Sequence, residues 1–304
     1  MSDTVYRGRF APSPTGPLHF GSLIAAVGSY LQARSQQGQW LLRMEDLDRP
    51  RCSEVAAGQI LYALERYGFE WDGELLYQSR RSDIYRDFSE RLRHTGQLYV
   101  CGCSRREIEQ RIAEQQLTPG IYPGTCRTRH LPERPQTALR LLVEDGETGF
   151  VDAIQGPFHQ QLQQQVGDFV LRRADGLYAY QLAVVVDDAL QGITEVVRGS
   201  DLLDNTPRQI YLQGLLDCPT PNYAHLPIAV NRNNQKLSKQ THAPALELNR
   251  PQKSLLQVLQ FLGQQPPLEL HDASLTELWS WATANWQLSR VPRITKQPEI
   301  AASC

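Results

Sequence analysis

The chain has 304 residues, of which 41% are apolar and 21% charged, with a net charge of −2. That balance describes a globular body with a core to bury and excludes a disordered chain; the charge alone does not advertise a nucleic-acid partner, and six unevenly spaced cysteines exclude a disulfide framework. The N-terminus has no apolar leader and no stretch approaches the roughly 18 apolar residues of a membrane span, so a cytoplasmic protein without a membrane partner is expected.

Residues 5–10 have strand character, and Pro12 and Pro14 then stop regular structure. Thr15 and Pro17 read as the cap and first residue of a helix whose apolar positions Leu23, Ala26, Val27, Tyr30 and Leu31 repeat at helical spacing. A second strand is expected over 40–44 and helices over 53–67 and 82–95, the latter striped by Ile84, Phe88 and Leu92. Ser104 and Glu107 form a capping box that starts a polar helix ending near 115, and 118–123 reads as a turn. The spans 137–154 and 166–186 read as strands, with the run 182–186 apolar on both faces, as in a parallel sheet, and closed by Asp187 and Asp188. Past about 243 the pattern is a short helical tail. The expected architecture is an open α/β sheet interrupted between about 98 and 173 by an inserted module.

Two segments carry chemistry. His19, Gly21 and Ser22 stand at a helix start, where exposed amides and the positive dipole end attract an anion, and Gly21 lets a ligand lie close to the backbone. Far downstream, Lys236 and Lys239 follow the turn-forming run 231–235 and place two ammonium groups where they can stabilise charge developing on a phosphate. Inside the insert, Cys101, Cys103 and Cys126 form a third constellation suited to a structural Zn²⁺. Spacing leaves the fourth ligand open, although His130, four residues past Cys126, is the commoner type of donor.

The pairing of His19-Phe20-Gly21-Ser22 with Lys236-Leu237-Ser238-Lys239 resembles the two signature segments of class I aminoacyl-tRNA synthetases. Arg9 to Gly16 and Arg43-Met44-Glu45-Asp46-Leu47-Asp48-Arg49 are similar to the glutamate-specific members. The likeness spans about 5–245, with Leu237 in place of methionine and Ser22 in place of histidine as departures. The chain ends soon after Lys239, leaving no room for the large helical anticodon-binding region of the usual enzymes, which points to a shortened branch that joins glutamate to the queuosine base in the anticodon of tRNA(Asp).

That resemblance implies a Rossmann-like, doubly wound catalytic domain in two halves, 1–97 and 174–242, a zinc-bearing α+β module over 98–173, and a helical region over 243–304. It implies catalytic roles for His19, Lys236 and Lys239, and ATP binding by His19, Gly21, Ser22 and Lys239 with Mg²⁺ as counterion. It also implies Tyr122 as the fourth zinc ligand beside Cys101, Cys103 and Cys126. Glutamate carries two carboxylates and an ammonium, so its crevice needs guanidinium groups and an acidic partner. The resemblance assigns the segment Arg9, Phe10, Ala11, Pro12 and Ser13 to the amino acid, Glu45 to its ammonium, and Tyr180 and Arg198, bracketing the apolar run, to the rest of the pocket. The expected partners are ATP, L-glutamate and the queuosine-bearing anticodon loop of tRNA(Asp), with the chain acting as a monomer. A glutamyl-tRNA synthetase lacking its anticodon-binding region, or an adenylate-forming enzyme that uses no RNA, are the alternatives. The arginines 105, 106, 111, 127, 129, 134, 140, 172 and 173 supply a candidate RNA-facing patch in the middle third.

Overall fold

The computed structural model describes residues 5–237 and 244–298. β1 (Arg7–Phe10) leads through the Pro12 and Pro14 segment into α1 (Phe20–Ser35), and β2 (Gln39–Met44) runs parallel to β1, Arg7 opposite Gln39 and Phe10 opposite Leu42. α2 (Glu54–Arg66), capped by the Ser53 side chain, returns to β3 (Leu76–Tyr77), which lies parallel beside β2. α3 (Ser82–His94) follows and then β4 (Leu98–Cys101), α4 (Arg105–Glu114) and β5 (Ala138–Leu141). β6 (Glu147–Asp152) and β7 (Gly156–Gln161) form a hairpin, and after the single turn α5 (Leu162–Gln165) comes β8 (Val170–Arg172). β4, β5 and β8 make an antiparallel sheet in that order.

The second half comprises α6 (Tyr180–Leu190), β9 (Glu195–Gly199), α7 (Thr206–Leu215), β10 (Asn222–Leu226) and β11 (Ile228–Val230). After it come α8 (Pro251–Phe261), α9 (Leu275–Asn285) and β12 (Lys296–Pro298). β9 and β10 are parallel, and the Thr194 amide donates to the Arg7 carbonyl at 2.9 Å, holding the entry of β9 against β1. The main core packs α1, buried along most of its length, against β1, β2, β10, α8 and α9. At Gly28 a Cβ would meet Leu226 Cδ1 at 2.5 Å, so this glycine sets how closely α1 approaches β10. A second core joins α3, β4, β5 and β8 to α6 and α7. Among the described residues no helix is long and apolar enough to cross a membrane.

Three readings of the sequence are corrected. The run 182–186 is not a strand: it lies inside α6, which is buried on every side from Gln181 to Asp188. A fully buried helix and a fully buried strand show the same unbroken apolar run, and three successive valines tilted the pattern toward the wrong one. α1 starts later than Thr15 and Pro17 suggested, because residues 18–19 are extended against 245–246: the Leu246 amide donates to the Leu18 carbonyl at 3.0 Å and His19 bridges Ala245. His19 is therefore the cap. The C-terminal part contains the expected helices but also β12, which pairs parallel with β11. The capping box at Ser104 and Glu107 is present as read.

Candidate active site

β1, β2, β9 and β10 all end at one cleft of about 660 Å³, the place where an open parallel α/β sheet presents its loops to a ligand. The cleft is lined by Arg9, Phe10, Ala11, Pro12 and Ser13 from the first strand and turn, by His19, Gly21 and Ser22 from the start of α1, by Glu45 from the end of β2, and by Tyr180, Arg198 and Lys236. Arg9 and Lys236, 227 positions apart in the sequence, thus share one cavity. Lys239, read with them, lies outside the described residues. Tyr180 and Arg198 do not bracket a strand; Tyr180 opens α6 and Arg198 belongs to β9.

His19 accepts from the Ser22 amide through Nδ1 at 3.4 Å. A Cβ on Gly21 would stand 3.1 Å from the His19 ring and 3.2 Å from the Leu237 carbonyl, so only glycine leaves this corner open. Lys236 reaches across the cleft to Asp201, Nζ to Oδ2 2.5 Å, and bridges Val230 through its backbone.

The two pocket arginines have opposite environments. Arg9 grips Asp188 with both arms of its fork, at 3.1 and 3.2 Å, and Arg43 reaches the same carboxylate at 2.8 Å. Burial pushes the Asp188 carboxyl up, but the two guanidinium groups outweigh it and hold the group below the usual carboxylate range. Glu45 has only a 3.4 Å contact to Arg43, and burial lifts its carboxyl above the usual range in spite of Arg43 and Arg9. Arg198 is held by neutral groups: Nε by His225 at 3.1 Å, Nη1 by the Tyr180 hydroxyl at 3.4 Å, and Nη2 by Thr206 and Gln209, both at 2.8 Å. No carboxylate among the described residues forms an ion pair with it. Its charge is thus uncancelled at a cleft that also holds the largely covered Glu45 carboxylate, which is a complement for a ligand carrying both signs.

Sequence reasoning missed Asp188, Asp152, His225, Asp201, Thr206 and Gln209. Two acids closing an apolar run were the one visible signal, since a buried helix keeps aspartates only when each is paired. Asp187 is: it accepts from Gln78, Arg81 and Tyr85 at 2.7 to 2.8 Å.

Away from the cleft, the sulfurs of Cys101, Cys103 and Cys126 lie within 4.8 Å of one another. The Tyr122 hydroxyl sits 3.3 Å from Cys101 Sγ and 3.6 Å from Cys103 Sγ, while the Cys126 amide donates to it at 3.0 Å. Three soft sulfurs and one oxygen converging on a point fit a four-coordinate Zn²⁺. His130 is exposed and not part of the cluster. Burial pushes the Cys103 thiol up to about 11. The fully buried Asp168 carboxylate grips Arg127, next in the chain to Cys126, at 2.6 Å through both arms, and the Arg140 guanidinium lies 3.8 Å over the Tyr122 ring. Arg111, Arg172 and Arg173 pair with Glu114, Glu133 and Asp175, so much of the arginine patch is neutralised; Arg105, Arg106, Arg129 and Arg134 are exposed.

A parallel-stranded α/β body with a helix starting at the cleft beyond its strand ends defines a fold of the Rossmann-like kind. The chain belongs to the family of the class I tRNA synthetases for E and Q, whose catalytic-domain model matches residues 5–267. It is 55% identical over 289 residues to a protein of Dechloromonas aromatica called glutamyl-Q tRNA(Asp) synthetase, covering 95% of this chain and 96% of that one. A protein of the same name from Pseudomonas aeruginosa is 51% identical over 97% of this chain and 98% of its own. Among solved structures, the glutamate–tRNA ligase of Elizabethkingia meningosepticum, in complex with its amino acid, superposes with a TM-score of 0.79 at 26% identity. The match covers 95% of this chain, which spans only 66% of that ligase.

Proposed function

We propose that the chain activates L-glutamate with ATP and transfers it to the queuosine base in the anticodon of tRNA(Asp). The observation that carries the reading is the gathering, in one cleft, of an uncancelled guanidinium, the largely covered Glu45 carboxylate and the start of α1. The relatives that match this chain over nearly their whole length bear the name of that activity and support the choice of RNA.

Glutamate lies with its ammonium on Glu45 and its carboxylates toward Arg198, Tyr180 and the Arg9 to Ser13 segment. The nucleotide's phosphates lie across His19, Gly21 and Ser22. The α-carboxylate of glutamate attacks the α-phosphorus and pyrophosphate leaves. His19 and Lys236 oppose the charge that grows on the phosphate oxygens, and Lys239 is assigned the same task. Mg²⁺ arriving with ATP supplies further counter-charge. A hydroxyl of the queuosine ring then attacks the mixed anhydride and AMP leaves. Cys101, Cys103, Tyr122 and Cys126 hold a structural zinc that ties the loop around 126 to β4. The activity belongs to the cytoplasm, where tRNA is found.

Exchange of pyrophosphate into ATP, dependent on glutamate and run with and without tRNA, tests the first step; labelled glutamate appearing on queuosine-containing tRNA(Asp) tests the second. Equal charging of tRNA(Glu) at its terminal ribose would replace this reading with that of an ordinary glutamyl-tRNA synthetase.

A further inference from the structure

Behind Arg198 stands a buried chain of polar groups that the reaction above does not use. Asp152, the last residue of β6, is 2% exposed, and His225, in the middle of β10, is not exposed at all. Asp152 Oδ2 lies 2.6 Å from His225 Nδ1, and Oδ1 accepts from the amides of Ile154, Gln155 and His225 at 2.8 to 3.1 Å. An ionised carboxylate only accepts, so Nδ1 carries the proton of a neutral ring and Nε2 presents its lone pair. That lone pair faces Arg198 Nε at 3.1 Å, with the Thr206 hydroxyl 3.2 Å away. Burial and the Arg198 charge act to keep the ring neutral against the pull of Asp152.

We propose that Asp152 and His225 are positioning residues for substrate recognition: they hold the Arg198 guanidinium in the cleft through a neutral acceptor, so that its full charge stays available for a carboxylate of the amino acid. A carboxylate bonded directly to Arg198 would fix it equally well but cancel the charge the substrate needs. Placing the acid one imidazole away separates the two tasks. The same contacts tie the β6–β7 hairpin to the pocket floor, since the Gln155 side chain also donates to the His225 carbonyl at 2.8 Å. The inference rests on the glutamate reading of the cleft.

Its test is direct calorimetric titration of glutamate and of an unreactive ATP analogue into the full chain, with KM and kcat for pyrophosphate exchange alongside. In Asp152→Asn the amide can donate to Nδ1, which turns the ring over to the Nε2–H tautomer and faces two donors at each other across the gap to Arg198. Glutamate affinity is expected to fall at least tenfold, with nucleotide affinity changed less than twofold and KM for glutamate rising more than kcat falls. His225→Leu should behave alike. His225→Gln, whose Oε1 can stand near the place of Nε2, should recover most of the affinity. Folded Asp152→Asn and His225→Leu variants that bind glutamate as the wild type does would overturn the proposal and leave the function standing, as would equal losses toward both ligands or a failure of His225→Gln to recover. A wild-type chain that binds no glutamate would overturn both.

Discussion

Glu45 is the residue whose chemistry is most exposed to test. Burial raises its carboxyl above the ordinary value of 4.5, so it takes up a proton at a higher pH than an exposed glutamate does. Only the ionised form attracts an ammonium. Glutamate binding is therefore expected to weaken as pH falls through that raised value, while the nucleotide analogue shows no matching loss; calorimetry across the acid range checks this. Glu45→Gln should remove the part of the pH response that lies above the ordinary carboxylate range, where glutamate's own side-chain carboxyl is still ionised, and cost about 10- to 100-fold in glutamate affinity, the range for a hydrogen bond to a charged partner, about 1.5–3 kcal/mol. Glu45 and Arg9 were assigned to the pocket by the resemblance, and both line the cleft at the ends of the first two strands. Asp188, Asp152 and His225 were not legible, because a pairing such as Arg9 with Asp188, 179 positions apart, leaves no trace in spacing.

At the scale of elements, legibility followed periodicity. α2 and α3 have one wet face and were read within a residue or two, and α4 announces itself by its capping box. α6 has no wet face between Gln181 and Asp188 and was misread. The cysteine cluster was legible from spacing as a candidate metal site; spacing left the fourth donor open and the resemblance named Tyr122, whose phenol the folded turn brings to 3.3 and 3.6 Å from two of the sulfurs. Elemental analysis of the purified protein is expected to find one zinc per chain, retained in His130→Ala. Tyr122→Phe, which removes the oxygen donor without removing the ring, should release zinc to a chelator faster than the wild type does. Equal loss from His130→Ala would transfer the ligand role to the imidazole.

At the scale of the molecule, α6 joins the two cores. Asp188 on one side holds Arg9 and Arg43 of the parallel sheet, and Asp187 on the other holds Gln78, Arg81 and Tyr85 around the start of α3. Asp188→Asn leaves two buried guanidinium groups short of their partner and is expected to cost about 3–5 kcal/mol in chemical denaturation. Because the folded state holds this carboxyl below its ordinary value of 3.8, its stabilising contribution is complete above that value and disappears as pH drops through the lower, folded one. The same helix begins with Tyr180, which lines the cleft, while its valines are packed into the core shared with β4, β5 and β8. The antiparallel sheet is consequently no detachable accessory. Excising it would pull away the bed on which a wall of the cleft rests, and any molecule that leans on that sheet is in mechanical touch with that wall.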